Sequence, residues 1–175
     1  MKRHVILVGL PGAGKTTAGR RAVELLAGSW ADFSDIDELV ESETGRSISR
    51  IFAESGEAEF RRLERAAVDR VLAGPPQLVA AGGGWIMQPG NLEAARERGA
   101  MVLYLRIAPS EAAARLGQDA ARPLLAGRDT EAALAALLRE REASYLLADG
   151  EVEAAGTHEE VARRLAGVVA DLASR

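Results

Sequence analysis

Cysteine is absent from the 175 residues, which rules out disulfides and thiolate metal sites. Histidine is almost as scarce. His4 and His158 stand far apart in the sequence, so no zinc site is expected from them, and each is given a solvated structural role, His4 at a strand entrance and His158 at a helix start. An excess of positive charge is also missing. Lys and Arg number 22 against 26 Asp and Glu, for a net charge of −4, which argues against a general nucleic-acid binder. No apolar run approaches the ~20 residues of a membrane span, and the run after Met1-Lys2-Arg3-His4 is too short for a secretory signal. The expectation is a cytoplasmic monomer with no nucleic-acid or membrane partner.

The length fits one domain, 1–175, able to bury a core without staples. No internal repeat, low-complexity tract or linker interrupts it. Strand-like runs recur at 4–8, 31–34, 77–81, 101–106 and 150–153, with helical periodicity between them. Such alternation predicts a parallel sheet covered by helices on both faces. Helix starts are marked at Ser47, at Pro109-Ser110-Glu111, and at Thr157 with Glu160 three residues on, a capping box. Phe60, Leu63, Ala67, Val68 and Val71 recur at helical spacing within 53–72, forming a core face. Residues 117–128 break the pattern, with Gly117, Pro123 and Gly127 around Arg122 and Arg128. A basic loop of that length in a phosphate-binding enzyme is a candidate lid.

The phosphate-binding signal is Gly9-Leu10-Pro11-Gly12-Ala13-Gly14-Lys15-Thr16, which spells G-x-x-x-x-G-K-[ST]. It follows the apolar strand Val5-Ile6-Leu7-Val8 and precedes a helix beginning near Gly14. The glycines let the backbone wrap a phosphate, with successive N–H groups and the positive helix end aimed at the anion. Lys15 reaches the β and γ phosphates, and the Thr16 hydroxyl ligates Mg²⁺. Gly12, Ala13, Gly14, Lys15, Thr16 and Thr17 form the expected cradle for the phosphates of a nucleotide.

Many P-loop proteins hold Mg²⁺ with an Asp at the end of the strand beside the loop strand. Here the corresponding run, Gln77-Leu78-Val79-Ala80-Ala81, ends in Gly82-Gly83-Gly84. Neither an Asp-x-x-Gly nor an Asn-Lys-x-Asp guanine signature occurs. The acid is then expected from Asp35 and Asp37, at the exit of the second strand. If that strand continues, both project to one side. The alternative is a helix N-cap with acidic first-turn residues. The three glycines make a turn, or let a ligand approach the backbone closely. All these features lie at the carboxyl ends of strands, where open α/β sheets place their ligand crevice.

Taken in order, the motifs resemble the shikimate kinase family, P-loop kinases of the nucleoside-monophosphate-kinase type. The resemblance runs from the loop through Asp35-Ile36-Asp37, Thr44-Gly45-Arg46-Ser47-Ile48 with Ile51-Phe52, and Gly56-Glu57 with Phe60-Arg61 and Glu64. It continues through Gly82-Gly83-Gly84, Arg122-Pro123-Leu124-Leu125, and Arg141 with Tyr145, covering positions 5–145. It implies a three-layer α/β/α P-loop fold with a five-stranded parallel sheet, an acceptor-binding region near 36–64 and a lid near 117–127. The implied reaction is transfer of the ATP γ-phosphate to the 3-hydroxyl of shikimate, with Mg²⁺ held by Thr16 and Asp35. Arg61 and Arg141 look like the clamp for the acceptor carboxylate. Asp37 looks like the acceptor of ring hydroxyls and of the proton from the attacking oxygen. Backbone N–H groups at Gly82 and Gly83 would add donors. Glu64 either orients Arg61 or forms an ordinary surface i,i+3 pair. Arg122 matches the lid arginine, and Arg115 the position that stacks on adenine, with an exposed helix residue as the alternative for Arg115.

Two features depart from the family pattern. Trp85 stands where a small residue is more usual, and either narrows the acceptor pocket or joins the core, the core being favoured for a large aromatic. Residues 153–158 replace the adenine-side loop. Two other functions remain open: a related small-molecule kinase of the gluconate type, and a nucleotide-binding regulator that has lost its chemistry.

Overall fold

Apolar runs too short for helices assemble into one sheet of five parallel strands. The computed structural model describes residues 3–26, 32–117 and 129–173. The strands are β1 (Val5–Val8), β2 (Phe33–Asp35), β3 (Leu78–Ala80), β4 (Met101–Arg106) and β5 (Gly150–Glu153), in the spatial order β2-β3-β1-β4-β5. Every residue of β1 is fully buried, as a strand covered on both faces requires. The register pairs Ile6 with Val79 on one side and with Val102 on the other.

The helices are α1 (Lys15–Leu25), α2 (Ile36–Thr44), α3 (Ile48–Leu72), α4 (Asn91–Glu97), α5 (Pro109–Leu116), α6 (Thr130–Tyr145) and α7 (His158–Ala173). Their starts follow local chemistry. The Ser47 hydroxyl accepts from the Arg50 N–H, Pro109 sits in the first turn of α5, and Thr157 and Glu160 exchange both bonds of a capping box. Helix α3 begins five residues before the 53–72 segment and is broken at Gly56, whose φ of 80° and ψ of 172° are not helical. Phe60, Ala67, Val68 and Val71 form its buried face.

Two expectations are corrected. His4 is buried rather than solvated: its Nε2 bonds the Gly74 carbonyl at 3.2 Å and its Nδ1 accepts from the Gln77 N–H at 3.3 Å, so one ring ties the α3–β3 turn to β1. The second strand does not continue through Asp37. It stops at Asp35, whose carboxylate caps α2 by accepting from the N–H groups of Asp37 and Glu38, so the N-cap alternative describes the local structure. Beyond Gly117, the expected lid of 117–127 lies outside the described residues, as do Arg122 and Arg128.

Candidate active site

The carboxyl ends of β1, β2 and β3 open onto a crevice of about 290 Å³. Gly12, Gly14, Lys15, Thr16 and Thr17 form one wall, Asp35 and Asp37 a second, and Gly82 and Gly83 a third, while Arg115 and His158 close the end. Ala13 is buried behind this wall. At Gly12 the backbone has φ of 83°, and a Cβ would run into the Ala112 carbonyl, so the loop needs glycine there. Lys15 donates to the carbonyls of Gly9 at 2.9 Å and Leu10 at 3.0 Å, which folds its ammonium back over the loop it follows.

The Thr16 hydroxyl donates to Asp35 Oδ2 at 2.5 Å. Cap geometry therefore does what strand continuation was expected to do. By holding the first turn of α2 with Oδ1, Asp35 leaves Oδ2 for Thr16, and Asp37 in that turn faces the same crevice. A hydroxyl and a carboxylate make a hard oxygen pair that fits Mg²⁺, which keeps most of its coordination for water and substrate phosphates.

Beside the crevice lies a second cluster built around the glycine turn. A Cβ on Gly84 would collide with the Arg61 guanidinium, one on Gly82 with the Glu64 carboxylate, and one on Gly83 would stand 3.1 Å from Arg141 Nη1. The missing side chains thus make room for charged protein groups, in addition to any ligand. Two guanidinium groups meet at adjacent glycines, and Asp37 Oδ1 would lie 3.7 Å from a Gly82 Cβ. Arg61 and Arg141 do not line the crevice itself; they lie against the glycines at its edge.

The supports of this cluster are internal. Glu64 is fully buried, with Oε2 2.8 Å from Arg61 Nη1, so it orients Arg61 from inside the protein and is no surface pair. Burial pushes the Glu64 carboxyl upward and Arg61 pulls it back. Arg141 is 7 % exposed. Its neighbour Tyr145 donates from its hydroxyl to the Gly83 carbonyl at 2.7 Å and stacks on Tyr104 with ring centroids 4.9 Å apart. Burial raises the Tyr145 phenol, which keeps that donor protonated. Trp85, 2 % exposed, belongs to the core and not to the crevice. Its backbone N–H donates to Gly82 O and its backbone carbonyl accepts from Asn91 Nδ2, fixing the end of the turn.

Arg115 is no exposed helix residue. Its side chain is 12 % exposed, and Nη2 bonds Glu111 and the carbonyls of Ala154 and Gly156, leaving the guanidinium plane beside the crevice. His158, for which no function is expected, lines the crevice next to Gly14. Nothing in its local sequence marks it, because the fold of α7 against α1 brings it there.

A phosphate loop at the head of α1, an oxygen pair for a divalent cation, and a carboxylate beside paired arginines define a P-loop kinase that phosphorylates a small acidic acceptor. Comparison with known proteins agrees. A family model described as shikimate kinase matches residues 11–170, and the chain belongs to that family. A shikimate kinase of Stenotrophomonas maltophilia (strain K279a) is 44 % identical over 142 residues, covering 81 % of this chain and 77 % of the relative. One from Thermobifida fusca (strain YX) is 46 % identical over 136 residues, 78 % of this chain and 76 % of the relative. Among solved structures, shikimate kinase from Acinetobacter baumannii in complex with shikimate superimposes with a TM-score of 0.88 at 32 % identity, over 98 % of this chain and 95 % of that one. A gluconokinase from Sinorhizobium meliloti 1021 shares the fold, with a TM-score of 0.63 at 18 % identity over 99 % and 94 % of the two chains. Among the described residues no helix is long and apolar enough to cross a membrane.

Proposed function

We propose that the protein transfers the γ-phosphoryl group of ATP to the 3-hydroxyl of shikimate, giving shikimate 3-phosphate and ADP in the cytoplasm. The observation that carries this reading is the meeting of Arg61 and Arg141 at the glycine turn beside Asp37. Two guanidinium groups suit a carboxylate and the aspartate suits hydroxyls, the two functions shikimate presents. The family membership and the shikimate complex of the Acinetobacter baumannii relative support the same acceptor.

In this reading Gly12, Ala13, Gly14, Lys15, Thr16 and Thr17 hold the phosphates, with Lys15 released from its loop carbonyls to the transferring group. Asp37 takes the proton as the 3-oxygen attacks phosphorus and the bond to the ADP oxygen breaks. Gly83, with Gly82, offers backbone N–H groups to the acceptor, and Arg115 lies along the nucleoside base. Arg122, assigned from its motif, neutralises charge on the phosphoryl group. Thr16 and Asp35 would hold Mg²⁺, which when bound neutralises charge on the phosphates. Such catalysis is positioning and charge stabilisation more than covalent chemistry. Phosphorus and proton NMR of the product tests the reading: one phosphomonoester at the 3-position agrees with it, and phosphate on another hydroxyl contradicts it.

A further inference from the structure

Four consecutive carbonyls in the segment joining β5 to α7 are taken by two arginines from different helices. Arg164 of α7 places Nη1 2.9 Å from Glu153 O and 2.7 Å from Ala155 O. Arg115 of α5 places Nη2 2.6 Å from Ala154 O and 2.6 Å from Gly156 O. The partners alternate along the segment, so each arginine takes every second carbonyl. The segment's amides are engaged as well: Gly156 N–H donates to Glu111 at 2.7 Å and Thr157 N–H to Glu160 at 2.8 Å. Ala154 N–H donates to Arg106 O and Ala155 N–H to the Glu153 carboxylate, so the amides are tied by other groups and the two arginines hold the carbonyl side of the segment.

The segment leads directly into His158. A Cβ on Gly14 would stand 3.2 Å from His158 Cδ2 and 3.7 Å from Arg115 Nη1, and all three residues line the crevice. Arg164 is exposed and does not. We infer that Arg164 is a positioning residue for the nucleoside end of the phosphoryl donor, holding the 153–156 segment so that Arg115 and His158 flank the end of the phosphate loop before any ligand arrives. Without it two of the four carbonyls lose their donor, the segment is held less firmly before binding, and affinity falls by the cost of fixing it. The inference rests on the crevice being the ATP site. It concerns donor binding alone, since none of these groups approaches the glycine turn.

Arg164→Met keeps the apolar stem and removes the donors. Arg164→Lys keeps one nitrogen, and one nitrogen of Arg164 serves both carbonyls. Steady-state kinetics in both substrates and amide exchange of the unliganded protein are compared for the three forms. R164M is expected to raise the KM for ATP roughly three- to tenfold, while kcat and the shikimate KM stay within about twofold. Amides 154–157 should exchange faster in R164M, and R164K should restore most of both properties. Equal rises in both KM values, or an unchanged ATP KM in R164M beside a wild type that saturates normally, overturn the inference alone. A wild type that does not saturate in ATP overturns the reading of the crevice, and the inference with it.

Discussion

Glu64 Oε2 lies 2.8 Å from Arg61 Nη1 inside the protein, with the carboxylate at zero exposure and the guanidinium backed by Glu57 on its outer side. One arginine is thus held between a buried acid and an exposed one, with its guanidinium lying against Gly84. Removing the buried partner leaves a guanidinium in a place built for an ion pair. Glu64→Ala is expected to cost about 3 kcal/mol of stability and to raise the shikimate KM about tenfold. Glu64→Gln, which still accepts from Arg61, should lose less of both. Urea unfolding and acceptor kinetics on the two variants check this, and a Glu64→Ala protein with unchanged acceptor KM would separate Arg61 from acceptor binding.

Lys15→Met should leave the thermal unfolding transition in place and lower turnover more than about a thousandfold. The side chain makes its bonds to two loop carbonyls at the crevice surface, so its loss removes charge from the transferring phosphoryl group without opening the core. Turnover near the wild-type value would remove Lys15 from the mechanism.

Arg141 is nine-tenths buried beside Gly83 and Tyr145. Arg141→Ala is expected to raise the shikimate KM about a hundredfold and the ATP KM hardly at all. Equal effects on both substrates would show that Arg141 supports the fold of the turn and does not clamp a carboxylate.

The His4 ring gives stability a pH dependence of known sign. Burial lowers its pKa below the usual 6.5, against a smaller opposing effect of the Gly74 carbonyl. Between its folded value and 6.5 the unfolded chain binds the extra proton, so stability is complete above that window and falls as pH drops through it. His4→Gln can keep an acceptor for Gln77 N–H and a donor for Gly74 O, so its denaturation midpoint should be flatter across the same range. Parallel pH profiles for the two proteins would assign the dependence elsewhere.

Much of this was readable in advance, for identifiable reasons. The strands were legible because β1, β3 and β4 are buried on both faces and so read as unbroken apolar runs. The phosphate loop was legible because its backbone needs glycine at fixed places. Trp85 followed the ordinary tendency of large aromatics to be buried. The Asp35–Asp37 pair was found through a two-residue periodicity that the chain does not follow. A cap brings the two acids together instead, because a carboxylate at a strand end satisfies helix amides better than it extends a ladder. The burial of His4 and of Glu64 was beyond reach, since each depends on which distant element packs over the residue, although a role for Glu64 in orienting Arg61 was one of two readings of its spacing. His158 is exposed at a helix start as expected, and only its nearness to the crevice comes from the packing of α7 on α1.

The function turns on the identity of the acceptor. An assay of ADP release supplied in turn with shikimate, gluconate and a panel of nucleoside monophosphates tests it most directly. The structure and family predict saturable release with shikimate and background rates with the others. Absence of turnover with shikimate, whether beside turnover with gluconate or beside ATP binding with no acceptor-dependent release, would contradict the account.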